Sequence, residues 1–259
     1  MLKKLSLVVQ MKDELKNGNL PRFMDSVSRY ADAMVCYDDA STDGSYEYLL
    51  DWQKEWAGRQ LKDVYIIRSE TNDYANEVEH KSKILKKCLE IESSWMFRID
   101  LDEVVEAAAE DNLRDWLANA DFQGYDSVAF RNANLWRHPS FYRLDSQFND
   151  FVSCRLWKNN GNLSYKEIKR GLHQRAVPDG LVNETWAPFI TLHYGFASSE
   201  SILHKYHMYK AHGQDGWALH RLVDERTLTL AHSNPSWFRE PLEQLPLSQV
   251  INRPLVSML

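Results

Sequence analysis

Apolar residues in this chain come in short bursts, each followed by a longer segment of helical period. Leu5 to Val9 (LSLVV) reads as a strand, and residues 18–30 (GNLPRFMDSVSRY) read as a helix. Pro21 suits the first turn of that helix, and Phe23, Met24, Val27 and Tyr30 share a face. Met34 to Tyr37 is the next strand. The helix after it is capped by Thr42 or Asp43, presents Tyr46, Leu49, Leu50 and Trp56, and stops at Gly58. Val64 to Ile67 is a third strand. A helix over 76–90 turns Val78, Leu85, Cys88 and Leu89 inward, and Trp95 to Ile99 is a fourth strand. Strands alternating with helices of this length predict a parallel sheet with crossover helices, whose ligands bind beyond the strands' carboxyl ends.

After residue 102 the rhythm changes. Residues 107–120 form a helix with Leu113, Trp116 and Leu117 inward, and longer strands are expected within 125–136, 148–165 and 184–196. A helix spans roughly Ser199 to His212. Beyond it a stretch carrying Pro235, Pro241, Pro246 and Pro254 reads as an irregular tail lying on the body. The expected layout is one domain, residues 1–259. Its parts are a first half at 1–105, a second half at 106–198 and a C-terminal helix and tail at 199–259.

Charge and composition narrow the classes. A chain of 259 residues with net charge −6 lacks the basic balance of a nucleic-acid binder. No apolar run approaches the ~20 residues that cross a bilayer, and no export signal is visible. Cys36, Cys88 and Cys154 are few and scattered, which fits a reducing compartment, so a cytoplasmic location is expected.

Two acidic clusters stand where ligands are expected. The second strand runs into Asp38 and Asp39, followed by the polar turn ASTDG, and the fourth runs into Asp100, Asp102 and Glu103. Strand alternation would set Asp100 and Asp102 on one side with Leu101 toward the core. Converging carboxylates repel unless a cation joins them, and hard oxygen donors suit Mg2+ or Mn2+. An acidic loop before a helix N-terminus is the plainer alternative.

Together, the order and setting of DDASTDGS and IDLDE resemble the family 2 glycosyltransferases of the GT-A fold. Asp38, Asp39, Ser41, Thr42, Asp43, Gly44 and Ser45 follow that family's first signature, D-D-x-S-x-D-x-[ST], and Asp100, Asp102 and Glu103 follow its D-x-D metal element. The resemblance covers most of residues 1–160, and it implies that 1–105 is a nucleotide-sugar-binding half and 106–198 an acceptor and catalytic half. It implies an α/β fold with a Rossmann-like half and a mainly parallel central sheet. It also implies transfer of a sugar from a nucleotide-diphosphate donor, UDP being the family default, to a hydroxyl of a glycan, lipid-linked or protein-linked acceptor with inversion.

The resemblance also implies roles. Asp39 would reach the nucleobase and ribose, and Asp38 or Asp43 would shape the turn. Asp100 would lie near ribose or donor sugar, and Asp102 would ligate the metal. Lys81 falls where relatives carry an arginine facing the nucleotide; an exposed helix lysine is the bland alternative. The general base would be Asp150, although Asn149 replaces the usual first acid. His173 is a second candidate, in RLWKNNGNLSYKEIKRGLHQR, although Gln174 stands where relatives have an acid. His193, in HYGF, would complete the metal shell. His204, His207, Lys205 and Lys210 read as a polar helix side near a diphosphate. Trp136, Tyr142, Trp157 and Trp186 are either core or an acceptor cleft.

Three rival readings differ in class. DLDEV also matches a haloacid-dehalogenase phosphatase with Asp100 as nucleophile, but the motif lies on the fourth strand and no later acidic loop follows. A nucleotidyltransferase should carry a glycine-rich, basic N-terminal loop, and VVQMKDELKNGN is not one. A non-catalytic sugar-binding domain would have little use for intact metal carboxylates.

Overall fold

The computed structural model describes residues 4–54, 60–73, 76–145, 148, 151–165, 177–213, 216–251 and 254–258. Strands β1 (Leu5–Met11), β2 (Ala33–Asp38), β3 (Asp63–Arg68) and β4 (Trp95–Arg98) lie parallel in the order β3-β2-β1-β4. Helices α1 (Asn19–Val27), α2 (Ser45–Lys54) and α3 (Glu77–Glu90) make the crossovers, and α4 (Ala107–Phe122) follows β4.

Alternation along β1 explains the layering. Leu5, Leu7, Val9 and Met11 pack with Phe23 of α1, Leu49 of α2 and Leu113 of α4, while Val8 packs with Ile84, Leu85 and Cys88 of α3. The parallel sheet is therefore covered on both faces, with α3 opposite α1, α2 and α4.

The second half adds β5 (Glu103–Val105), β6 (Ser127–Trp136), β7 (His138–Arg143), β8 (Val152–Lys158), β9 (Glu184–His193) and β10 (Leu230–His232). Strand β8 bridges the halves, antiparallel to both β4 and β6. Strand β9 runs parallel to β6 and takes the short β5 on its other edge. Helix α5 (Ser199–Ala211) then packs with Trp136, Phe148 and Phe196 through Ile202 and Tyr206. The fold is mixed α/β, with an all-parallel run of strands β1 to β4 in the first half and both parallel and antiparallel pairing in the second.

Several local expectations need correction. Helix α2 buries Ser45 and Leu49, with Tyr48 and Trp52 against the core, so its inward stripe is displaced from Tyr46 and Leu50. Trp56 and Gly58 lie outside the described residues. In α3, Leu89 turns outward and His80, Lys81 and Ile84 are buried instead. Trp136 and Trp157 are fully buried core residues, whereas Trp186 is largely exposed. Among the described residues, no helix is long and apolar enough to cross a membrane.

Candidate active site

The carboxyl ends of β2 and β4 bring the two acidic clusters to the same edge of the sheet, because both strands are hydrogen-bonded to β1. At the first cluster the backbone leaves β2 through Ala40, which takes a left-handed conformation at φ 55°. A non-glycine residue held there costs free energy, and such strain collects at functional sites. Surrounding bonds hold the turn. Asp38 accepts from the Ser41 amide at 3.1 Å and lies 3.4 Å from Arg68 Nε. Asp43 accepts from the amides of Ser45, Leu15 and Lys16, which ties the turn to the loop after β1.

Asp38 and Asp39 both bury an Oδ2 without a hydrogen-bond partner among the described residues, but that of Asp38 has the Arg68 guanidinium beside it. Asp39 Oδ1 accepts from the Asp73 amide at 2.9 Å, and its Oδ2 has no such neighbour among the described residues. A buried carboxylate oxygen without a donor costs about 1–3 kcal/mol or more. The residue is 3% exposed, so the structure carries an acceptor that a bound N–H or O–H would satisfy.

At the second cluster the carboxylates separate. A turn closed by the Glu103 amide on the Asp100 carbonyl, 2.9 Å, replaces extended strand, so simple alternation does not apply. Leu101 is buried as expected. Asp100 accepts two hydrogen bonds from Arg98 Nη2, at 3.0 and 3.2 Å. Glu103 accepts from the Asp100 amide and from Arg155 Nη1, and so serves the turn.

Asp102 faces the second half of the chain. Its Oδ2 lies 3.1 Å from His193 Nε2 and 2.8 Å from Lys205 Nζ. The pairing of β5 with β9 sets Glu103 opposite His193, and the Tyr194 amide donates to the Asp102 carbonyl at 2.7 Å. Burial alone would raise the Asp102 carboxyl; the Lys205 ammonium and His193 outweigh it and hold the group well below its ordinary value. His193 Nδ1 donates to Asn134 Oδ1 at 2.8 Å, so Nε2 is the nitrogen left for Asp102: with a hydrogen it donates to the carboxylate, and without one it can take a cation.

Gly195 makes this approach possible. A Cβ there would fall 2.5 Å from Lys205 Cε and 2.6 Å from His193 Nε2, and closer still to Asp102 Oδ2. Ser198 caps α5 by accepting from the Ser201 amide at 3.0 Å, and the helix carries Lys205 and Tyr209 one turn apart. Burial first, and the Asp102 charge second, raise the carboxyl of Glu14 on the loop after β1.

Lys81 is not an exposed helix lysine. Its side chain is fully buried, 2.6 Å from Glu77 Oε1, and Arg98 lies 3.7 Å from the same oxygen. Burial, reinforced by the Arg98 charge and opposed by Glu77, lowers its ammonium to about 8. Asp150 and His173 lie outside the described residues.

No family model matches the sequence, and no curated protein matches it. Solved structures do match in fold. Two structures of S. aureus TarS superpose with TM-scores of 0.51 and 0.52 at 11% and 12% identity, covering 86% and 85% of this chain. The chain spans 42% of the first of these and 69% of the second, which comprises residues 1–349. The mannosyltransferase PcManGT from Pyrobaculum calidifontis, in complex with GDP-Man and Mn2+, matches at a TM-score of 0.48 and 12% identity over 82% of this chain and 65% of its own. The chain has a glycosyltransferase fold of the GT-A kind. At such identities the likeness is one of fold.

Within that glycosyltransferase fold, Asp39, Asp100 and Asp102 stand at the strand ends where the sequence puts them, and His193 reaches Asp102 across 91 residues of chain. Sequence reasoning passed over Arg98, Glu77, Asn134 and Gly195. Only Gly195 left a trace, as the glycine after the aromatic in HYGF. Lys205 was read as a polar helix position near a diphosphate, without a partner.

The Asp102 and His193 pair fits a divalent cation. One carboxylate oxygen and one imidazole nitrogen converge, and the Asn134 contact selects the tautomer that can ligate. Among the described residues no group of three His, Cys, Asp or Glu side chains forms a complete cage.

Proposed function

We propose that the chain is a metal-dependent glycosyltransferase that moves a sugar from a nucleoside-diphosphate donor to an acceptor hydroxyl. The observation that carries this reading is the Asp102–His193 pair, with His193 fixed by Asn134, at the carboxyl edge of a GT-A sheet. Asp102 and His193 would hold the cation, which when bound stabilises the negative charge left on the nucleoside diphosphate.

The other residues divide the remaining work. The partnerless Oδ2 of Asp39 accepts from the base or ribose of the donor. Asp38 keeps the turn in shape by accepting from Ser41. Asp100, oriented by Arg98, faces the donor's ribose or sugar, and this two-point pairing leaves it poorly suited to be a phosphatase nucleophile. Lys81, held by Glu77, adds positive charge behind the phosphates. The acceptor hydroxyl needs a base on the opposite face of the sugar, which gives inversion; Asp150 is assigned that part, with His173 second. The acceptor is a glycan or glycoconjugate, and Trp186, 61% exposed on β9, offers an aromatic face only to a part of an extended acceptor distant from the His193 end of that strand.

The test is calorimetric titration of UDP, GDP, dTDP and CMP with Mn2+ and with chelator, using wild type and Asp102→Ala. Binding of one nucleotide that needs the metal and weakens in the variant supports the reading and names the donor base. No binding of any nucleotide under either condition removes it.

A further inference from the structure

Lys205 places a fixed positive charge where the cation would act, and its role goes beyond a polar helix position. We propose that the Lys205 ammonium is a tethered cation that occupies the Asp102 carboxylate until a nucleoside diphosphate arrives, so that diphosphate and divalent metal bind as one coupled event. This rests on the reading of Asp102 and His193 as cation ligands given above.

The contact is specific. Lys205 Nζ lies 2.8 Å from Asp102 Oδ2, the same oxygen that His193 Nε2 approaches at 3.1 Å. Asp102 is 9% exposed, so solvent and salt screen little of the repulsion between an ammonium and a divalent ion on that oxygen. A metal arriving alone must compete with Lys205. A diphosphate offers the ammonium other oxygens, and the lysine's flexible four-carbon stem allows it to turn toward them.

The position is also built. Gly195 provides the space through which the Lys205 stem passes, since a Cβ there would overlap its Cε. The ring of Phe196 lies 5.2 Å from Nζ and favours a cation at that end of the stem. Tyr209, on the next turn of α5, lies within electrostatic reach of Lys205, Asp102 and Asp100. Glu14 and Arg22 add one charge of each sign near Asp102, so neither outweighs the direct contact.

Linkage gives the test. If the diphosphate relieves the competition, it tightens metal binding, and the metal tightens the diphosphate by the same factor. Free Mn2+ would be followed by electron paramagnetic resonance in titrations of wild type, Lys205→Met, Lys205→Gln and Asp102→Asn, alone and with each nucleoside diphosphate. Thermal melting would check that the variants fold. Mn2+ alone should bind Lys205→Met and Lys205→Gln about tenfold more tightly than wild type, the scale of losing one competing ion pair. The factor by which nucleotide tightens Mn2+ should shrink in both, and Asp102→Asn should lose the metal.

Unchanged or weaker Mn2+ affinity in both folded Lys205 variants overturns the proposal. If wild type still binds Mn2+ and nucleotide cooperatively through Asp102 in that case, only the part given to Lys205 falls. If no form binds Mn2+ with any nucleotide, the metal-dependent reading falls as well.

Discussion

Asn134 and His193 are cross-strand partners on β6 and β9, and the amide oxygen of one accepts from the ring nitrogen of the other at 2.8 Å. In the metal-dependent reading proposed above, Asn134 would act on the cation through His193, by holding the hydrogen on Nδ1, without touching it. Asn134→Leu should fold and lose about 10- to 100-fold in Mn2+ affinity, the range for removing the partner of a ligating histidine. Competition with a metallochromic indicator reads this directly. An affinity equal to wild type would mean that His193 does not ligate.

Gly195 tests the crowding behind the site. Gly195→Ala forces a methyl between Asp102, His193 and Lys205. Overpacking of this kind costs about 1–3 kcal/mol. The expected result is a lower melting temperature together with loss of Mn2+ binding. Retention of both would show that α5 can retreat without consequence.

Asp39 separates stability from binding. Asp39→Asn keeps the oxygen that accepts from the Asp73 amide and replaces a buried, partnerless acceptor with an amide nitrogen. The free protein should be as stable as wild type or more so. Nucleotide binding should fall by about 1.5–3 kcal/mol, the scale of a hydrogen bond to a charged group. Denaturant midpoints and calorimetry on the same samples check the two halves.

Lys81 gives a pH signature. Its ammonium titrates at about 8 in the folded chain against 10.5 for an ordinary lysine. Between those values the unfolded chain binds more protons than the folded one, so this group makes stability rise with pH across that window. Below about 8 both states are protonated and its contribution is flat. Compared with Lys81→Met, wild type should gain on the order of 2–3 kcal/mol from pH 8 to pH 10.5. Urea melts at stepped pH, taken as the difference between the two proteins, isolate it from other groups.

The first-half fold was legible because its signals are local. Leu5, Leu7 and Val9 alternate within one strand, and Val78 and Leu85 recur within one helix. Leu89 misled because hydrophobicity alone ranks it above Lys81, yet Glu77 gives Lys81 a buried partner that no periodicity registers. Strands β5 and β10 are three residues each, too short to show a period. The same division holds at the site. Asp39 and Asp102 are visible as acids at strand ends. What Asp102 touches depends on residues 91 and 103 positions away, and spacing along a chain carries no information about such meetings.

The pairing of β5 with β9 has a consequence for how the molecule matures. Strands β1, β2 and β3 can assemble through successive neighbouring crossovers, whereas β4 must return past β3 and β2 to pair with β1, Leu5 opposite Trp95. The Asp102–His193 contact closes a loop of 91 residues and must wait until β9 has docked beside β6. A cation held by Asp102 and His193, as proposed above, would therefore not template the sheet of β1 to β3. It would meet its pair only after β9 has docked, so metal capture during refolding would report that late step.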